Sequence, residues 1–161
     1  MSTDFRDFLR QHAEKHQDAD RVRKATVEEW RTAICELFHK MQMWLEQSDP
    51  DRVIEIKESE QDVTEPGLGR YRVPRLDLHA FGKWVGIIPK ARQTVGTAKP
   101  PQKSVPQRAA GRVDMTDELR RYVLYRFPED GRDVWLIDDL DSEPKPLDQE
   151  VFERAMMSYL R

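Results

Sequence analysis

The chain has 161 residues, 38% of them hydrophobic and 35% charged, which is enough for one core-forming domain without staples and too apolar for a disordered chain. Its single cysteine, Cys35, excludes an internal disulfide and fits a reducing cytoplasm; no apolar run approaches the ~20 residues of a membrane helix, and the acidic start MSTDFRDFLRQ lacks a signal-peptide core. The net charge of −3 conceals a pattern: residues 1–65 carry 10 Lys/Arg against 16 Asp/Glu, residues 66–127 carry 13 against 4, and residues 128–161 carry 4 against 10. A basic middle between acidic ends either attracts an anionic partner or is neutralised by the chain's own ends, and the second is the default expectation.

The first third predicts helices. Phe5, Phe8, Leu9, His12 and His16 recur at helical spacing. The stripe fails over DADRVRKA, and TVEE then offers a capping box, Thr26 as N-cap and Glu29 three residues on. A second, longer helix follows. Val27, Trp30, Ile34, Leu37, Met41 and Trp44 step by three and four, and Ala33, Phe38 and Leu45 widen the stripe. Ser48-Asp49-Pro50 ends it.

Beyond Pro50 the period becomes two. VIEIKE and RYRV read as strands, and RLDLHAFGKWVGIIPKARQTVG reads as a hairpin turning at Phe81-Gly82. That register pairs Leu78 with Val85 and Leu76 with Ile87 on one face, Asp77 with Gly86 and His79 with Trp84 on the other. YVLYRFPEDGRDVWLIDD turns at Asp130-Gly131. Its pairs are Phe127 with Val134 and Tyr125 with Leu136 on one face, Arg126 with Trp135 and Leu124 with Ile137 on the other. Both faces are apolar enough to predict cover on both sides.

Between the hairpins, residues at about 98–110 are predicted to form an extended basic loop, since TAKPPQKSVPQRAAG is proline-rich and aperiodic. A short helix closes the chain from Asp148, its N-cap, with Leu147 and Phe152 as a hydrophobic staple. The expected fold is therefore α+β: N-terminal helices, one long and amphipathic, an antiparallel β-sheet of about five to seven strands built from hairpins, and a short C-terminal helix. The chain reads as one domain over 1–161, with a helical part at 1–48, the sheet at 52–139 and the last helix at 148–161.

Catalytic chemistry finds little purchase. His12 and His16 can share a helix face, but HAEKH is not the zincin pattern and no further ligand clusters near it, so no metal site is expected. EIK at 55–57 matches the E-x-K of metal-dependent nucleases, which need another acid from a separate strand; Asp77 is the available one. Cys35 lies mid-helix near His39, without the helix N-terminus that activates a thiol, and reads as a buried filler beside Ile34. Phosphate-loop, dinucleotide and serine-nucleophile motifs are missing, so neither a cofactor nor a catalytic residue is expected.

The remaining signal is the basic middle. Arg70, Tyr71, Arg72, His79, Lys83, Trp84, Lys90 and Arg92 would form one surface if their strands are adjacent. There cations could meet phosphates while Tyr71 or Trp84 stacks on unpaired bases. Against this stands the long amphipathic helix, suited to contact between chains as well as to its own core. The sequence therefore points first to a non-enzymatic cytoplasmic module acting through protein partners or self-association. Nucleic-acid or polyanion binding through the basic strands and loop is the alternative, and no membrane partner is expected.

Overall fold

A computed structural model describes residues 3–94, 96–101 and 103–161. Met1 and Ser2, Val95 of the first hairpin stretch, and Gln102 of the 98–110 loop lie outside the described residues. The chain is α+β, as its pattern predicts. Helix α1 (Thr3–Ser48) leads, followed by β1 (Glu55–Glu65), β2 (Gly69–Ala80), β3 (Lys83–Ala91), β4 (Thr97–Ala98) and β5 (Gln107–Arg108). Then come β6 (Arg112–Thr116), β7 (Arg121–Glu129), β8 (Arg132–Asp138), β9 (Lys145–Pro146) and helix α2 (Gln149–Leu160). Seven strands form one antiparallel sheet in the order β1-β2-β3-β6-β7-β8-β9, and β4 pairs with β5 in a separate ribbon. No helix among the described residues is long and apolar enough to cross a membrane.

The expected break near residue 26 does not occur: α1 is one helix of 46 residues, about 69 Å long at 1.5 Å per residue. Thr26, expected as an N-cap, is interior, and its hydroxyl donates to the Val22 carbonyl at 2.9 Å. The stretch that lacks an apolar stripe is instead laced by ion pairs one turn apart, Arg21–Asp18, Arg23–Asp20 and Lys24–Asp20. Those pairs keep the backbone helical where no core supports it. After Ser48 the Asp49 carboxylate accepts from the Val53 and Ile54 amides, both at 2.8 Å, and turns the chain into the sheet.

Both hairpins adopt the predicted register, pair for pair. Phe81 and Gly82 have φ of 56° and 73°, and Asp130 and Gly131 have 49° and 77°. Two successive positive φ values are what a two-residue turn needs to match the strands' right-handed twist. One departure from simple alternation lies in β2. Tyr71 and Val73 face the core near its start, whereas Leu76, Leu78 and Ala80 are buried after Pro74. The inward set changes parity at the proline while pairing with β1 stays continuous.

The main core lies between α1, α2 and one face of the sheet, and joins Trp30, Ile34, Phe38 and Met41 to Val73, Leu76, Ile87, Leu124 and Phe152. The other face of the β7–β8 hairpin is covered too, as Phe127 and Leu136 cluster with Ala98 and Ala109. The proline-rich loop is thus closed by the β4–β5 ribbon, which lays two alanines on the sheet. Asp148 caps α2 through the Val151 amide at 2.8 Å, with Leu147 and Phe152 in the core cluster.

Candidate functional site

A collar of residues fixes α1 where it meets the sheet. Trp30 is fully buried and stacks on Trp135, ring centroids 6.2 Å apart, with the Arg126 guanidinium 5.9 Å from its ring centre. Gly111 lies against the same ring, leaving no room for a side chain. Arg126 is buried among carboxylates: its terminal nitrogen donates to Glu29, and Asp133 lies 2.9 Å from Nε, an ion-pair distance without hydrogen-bond alignment. Burial alone would raise the Glu29 carboxyl, but the bond from Arg126 and the charges of Arg126 and Arg92 override it and hold the group below its ordinary value. Arg31 adds a bond to the Arg72 carbonyl and a contact with Glu60.

Beyond the collar α1 runs free. Every residue from Thr3 to Ala19 is exposed, and the first buried side chain is Trp30. Phe5, Phe8 and Leu9 are about half exposed, and the Phe8 ring lies beside His12, at 4.1 Å between centroids. At about 100° per residue, this apolar set falls on the same side of the rod as the buried stripe of Trp30, Ile34 and Met41. The tip's apolar side therefore faces the space on the sheet's side of the helix, where none of the described residues covers it.

A second uncovered apolar surface lies at the other end of α1. Leu45, Ile54, Phe81, Met156, Met157 and Leu160 line a groove of about 480 Å³, with Ser48, Asp49, Glu153 and Arg161 on its rim. Ser48 donates to Glu153, tying the end of α1 to α2. Phe81 is 73% exposed although it holds the first turn position, where positive φ costs a bulky residue about 1–2 kcal/mol. Sequence reasoning finds in Phe81 only a turn residue. A signal is there to be read: two-residue turns of this kind favour Asn, Asp or Gly at that position, and an aromatic is out of place. Ile54, Met157 and Leu160 carry no such signal, because three distant segments build the groove.

The residues read from the basic middle are partly brought together. β2 and β3 are adjacent, so His79 and Trp84 pair directly on one face, whereas Lys83, opposite Ala80, is exposed at the strand end with its side chain on the other face. Trp84 lies over Gly86 and donates from Nε1 to Asp77 at 2.8 Å. Arg70 and Arg72 are exposed and both pair with Asp62, whose carboxyl the Arg70 bond lowers. Lys90 is exposed on β3. Tyr71 is buried, its hydroxyl donating to the buried Glu65, which also accepts from the Arg92 and Gln93 amides at 2.8 and 2.9 Å. Burial and the Glu65 charge raise the Tyr71 phenol. The Arg92 side chain turns to Glu29, 3.6 Å away.

Charge is neutralised locally at about half of the cations of the middle segment. Of its 13 cations, Arg70, Arg72, Arg75, Arg92, Arg112, Arg121 and Arg126 have ion-pair partners. Glu29 and Asp62 come from the acidic N-terminal part, Asp133 from the acidic C-terminal part, and Asp77 and Asp114 from the segment itself.

Two readings of reactive groups change or narrow. Cys35 is exposed rather than a buried filler, because about 100° of helix separates it from Ile34, on the flank away from the buried stripe. Partial burial raises its thiol, which reduces the thiolate fraction. In the E-x-K stretch, Lys57 stands opposite Asp77, but Arg75 and Trp84 engage that carboxylate at 2.7 and 2.8 Å. Among the described residues, no three His, Cys, Asp or Glu side chains are grouped to hold a metal. Compared with protein-family models, curated proteins and solved structures, the chain matches none.

Proposed function

We propose that this chain is a self-associating protein module whose contact element is the free part of α1. The observation that supports this is a helix continued well past its own sheet, with Phe5, Phe8 and Leu9 exposed on one side. An unsupported helix tip with an apolar side gains stability by burial against a second surface, since most helical stability in proteins comes from packing of that side. The setting we propose is the cytoplasm, given one exposed thiol with no partner cysteine in the chain. Sedimentation velocity of the full chain over a concentration series tests the reading. A mass above 19.0 kDa that falls to monomer in Phe5→Ser/Phe8→Ser/Leu9→Ser is expected. A monomer at every concentration refutes it.

A second reading rests on the adjacency of His79 and Trp84, with Arg70, Arg72 and Lys90 exposed on the same two strands. Such a surface suits a polyanion such as single-stranded nucleic acid. Anisotropy titrations of labelled oligonucleotides at about 50 and 200 mM salt test it: phosphate contacts require binding that falls with salt and weakens in Arg70→Ala/Arg72→Ala. No binding at the lower salt removes it.

A further inference from the structure

We infer that the free tip of α1 docks in the Met-lined groove of a second copy of this chain, and that the second copy returns the contact, giving a closed antiparallel pair. The inference rests on the self-association reading and says where the contact lies. Phe5, Phe8, Leu9 and His12 stand at i, i+3, i+4 and i+7, the anchor pattern of a helix seated in an apolar groove. The groove between the end of α1, the Phe81 turn and α2 is of that kind, and two of its residues are methionines, whose flexible thioethers adapt to a ligand's shape.

The tip cannot enter its own groove. Phe8 and Leu45 are on one unbroken helix, 37 residues apart, or about 55 Å along the axis. A second copy lying antiparallel brings its tip to that groove and receives this chain's tip in its own. The direction fits as well. The tip's apolar side faces the sheet's side of the rod, where the partner's body would stand.

Both partners carry charges of both signs: the groove lining includes Asp49, Glu153 and Arg161, and the tip includes Asp4, Arg6 and Arg10. The area sets the strength of the pair. With large side chains of about 200 Å², the half-exposed tip residues give about 300 Å² per contact, and the groove, whose Leu45 and Met156 walls are already buried, adds less, so two contacts stay below about 1,200 Å², the range of weak, concentration-dependent pairs. Twofold closure makes the pair a dimer rather than a filament.

Two variants and their mixture test this. Phe8→Glu alters the tip and Met157→Lys the groove, both at half-exposed positions where folding should survive, with far-ultraviolet circular dichroism as the check. In a homodimer of either variant, both contacts carry one defect. A heterodimer formed in an equimolar mixture has one wild-type contact. In its other contact the two introduced charges, negative on the tip and positive in the groove, attract each other. The expected result by sedimentation velocity is a wild-type dimer, affinity weakened at least ~10-fold in each variant alone, and dimer recovered on mixing. If Phe8→Glu dissociates the protein while Met157→Lys does not, and mixing restores nothing, tips meet tips. The groove inference then fails while self-association stands. A wild-type monomer overturns both.

Discussion

Replacing Gly111 with alanine strikes the joint from which the free helix projects. A Cβ there would lie within 3.0 Å of three atoms of the Trp30 ring, and Trp30 is fully buried. The ring cannot retreat, because Trp135 stacks on it and the Arg126 guanidinium lies over it. Overpacking of this kind costs about 1–3 kcal/mol. The backbone adds strain, since φ is +156° at Gly111, a region nearly confined to glycine and costing about 1–3 kcal/mol for another residue. Together they predict a loss of about 2–6 kcal/mol, which for a chain of this size lowers Tm by roughly 4–24 °C. Gly131→Ala is the control. It too has positive φ, 77°, but nothing lies within 4 Å of its added Cβ, so it bears the strain without the clash. Thermal and urea denaturation of both variants, followed by circular dichroism and tryptophan fluorescence, separates the two contributions. If Gly111→Ala is no less stable than Gly131→Ala, the close packing of Gly111 on Trp30 is wrong, and with it the collar as the device that holds α1.

Two further outcomes follow from the charges around that joint. Arg126→Ala should lose about 2–4 kcal/mol in urea denaturation. It leaves Asp133 without its ion partner, whereas Glu29 is half exposed and partly rescued by water. A change below about 0.5 kcal/mol, the size expected of an ordinary surface site, would contradict that assignment. Acid should destabilise the fold through Glu29 and Asp77. Burial raises both carboxyls, but Arg126 and Arg92 at Glu29, and Arg75 and Trp84 at Asp77, bring them below their ordinary values of 4.5 and 3.8. The unfolded chain then binds protons more readily than the folded one. The stabilisation is present above those ordinary values and is lost as pH falls through the lower folded ones. The urea midpoint should therefore drop as pH is taken below about 4.5, with a smaller drop in Glu29→Gln; identical pH profiles for the two proteins would remove Glu29 from the explanation.

Local geometry is legible in the chain before any packing is known. Turn chemistry sets the registers: with Gly82 and Gly131 in place, Leu78 has to meet Val85 and Tyr125 has to meet Leu136. Three–four spacing sets the buried side of α1 from Trp30 to Leu45, and Asp148 marks the start of α2. What each face meets is a matter of packing. Periodicity says which side of a helix is apolar, but only the extent of the sheet determines how much of that side is covered, and here cover begins near Val27 and leaves Phe5, Phe8 and Leu9 outside. The continuity of α1 through Thr26 is likewise hidden, because a capping sequence and a helix interior offer the same hydroxyl two partners of similar strength, and the one it takes is the Val22 carbonyl. Charge counts ignore distance, so the sequence does not say which cations of the basic middle are paired. Folding brings Glu29, Asp62 and Asp133 to its arginines, Glu29 from far away in sequence. The groove beneath Phe81 belongs wholly to the tertiary level, since its walls come from the end of α1, a β-turn and the last helix, and no single stretch of sequence contains it.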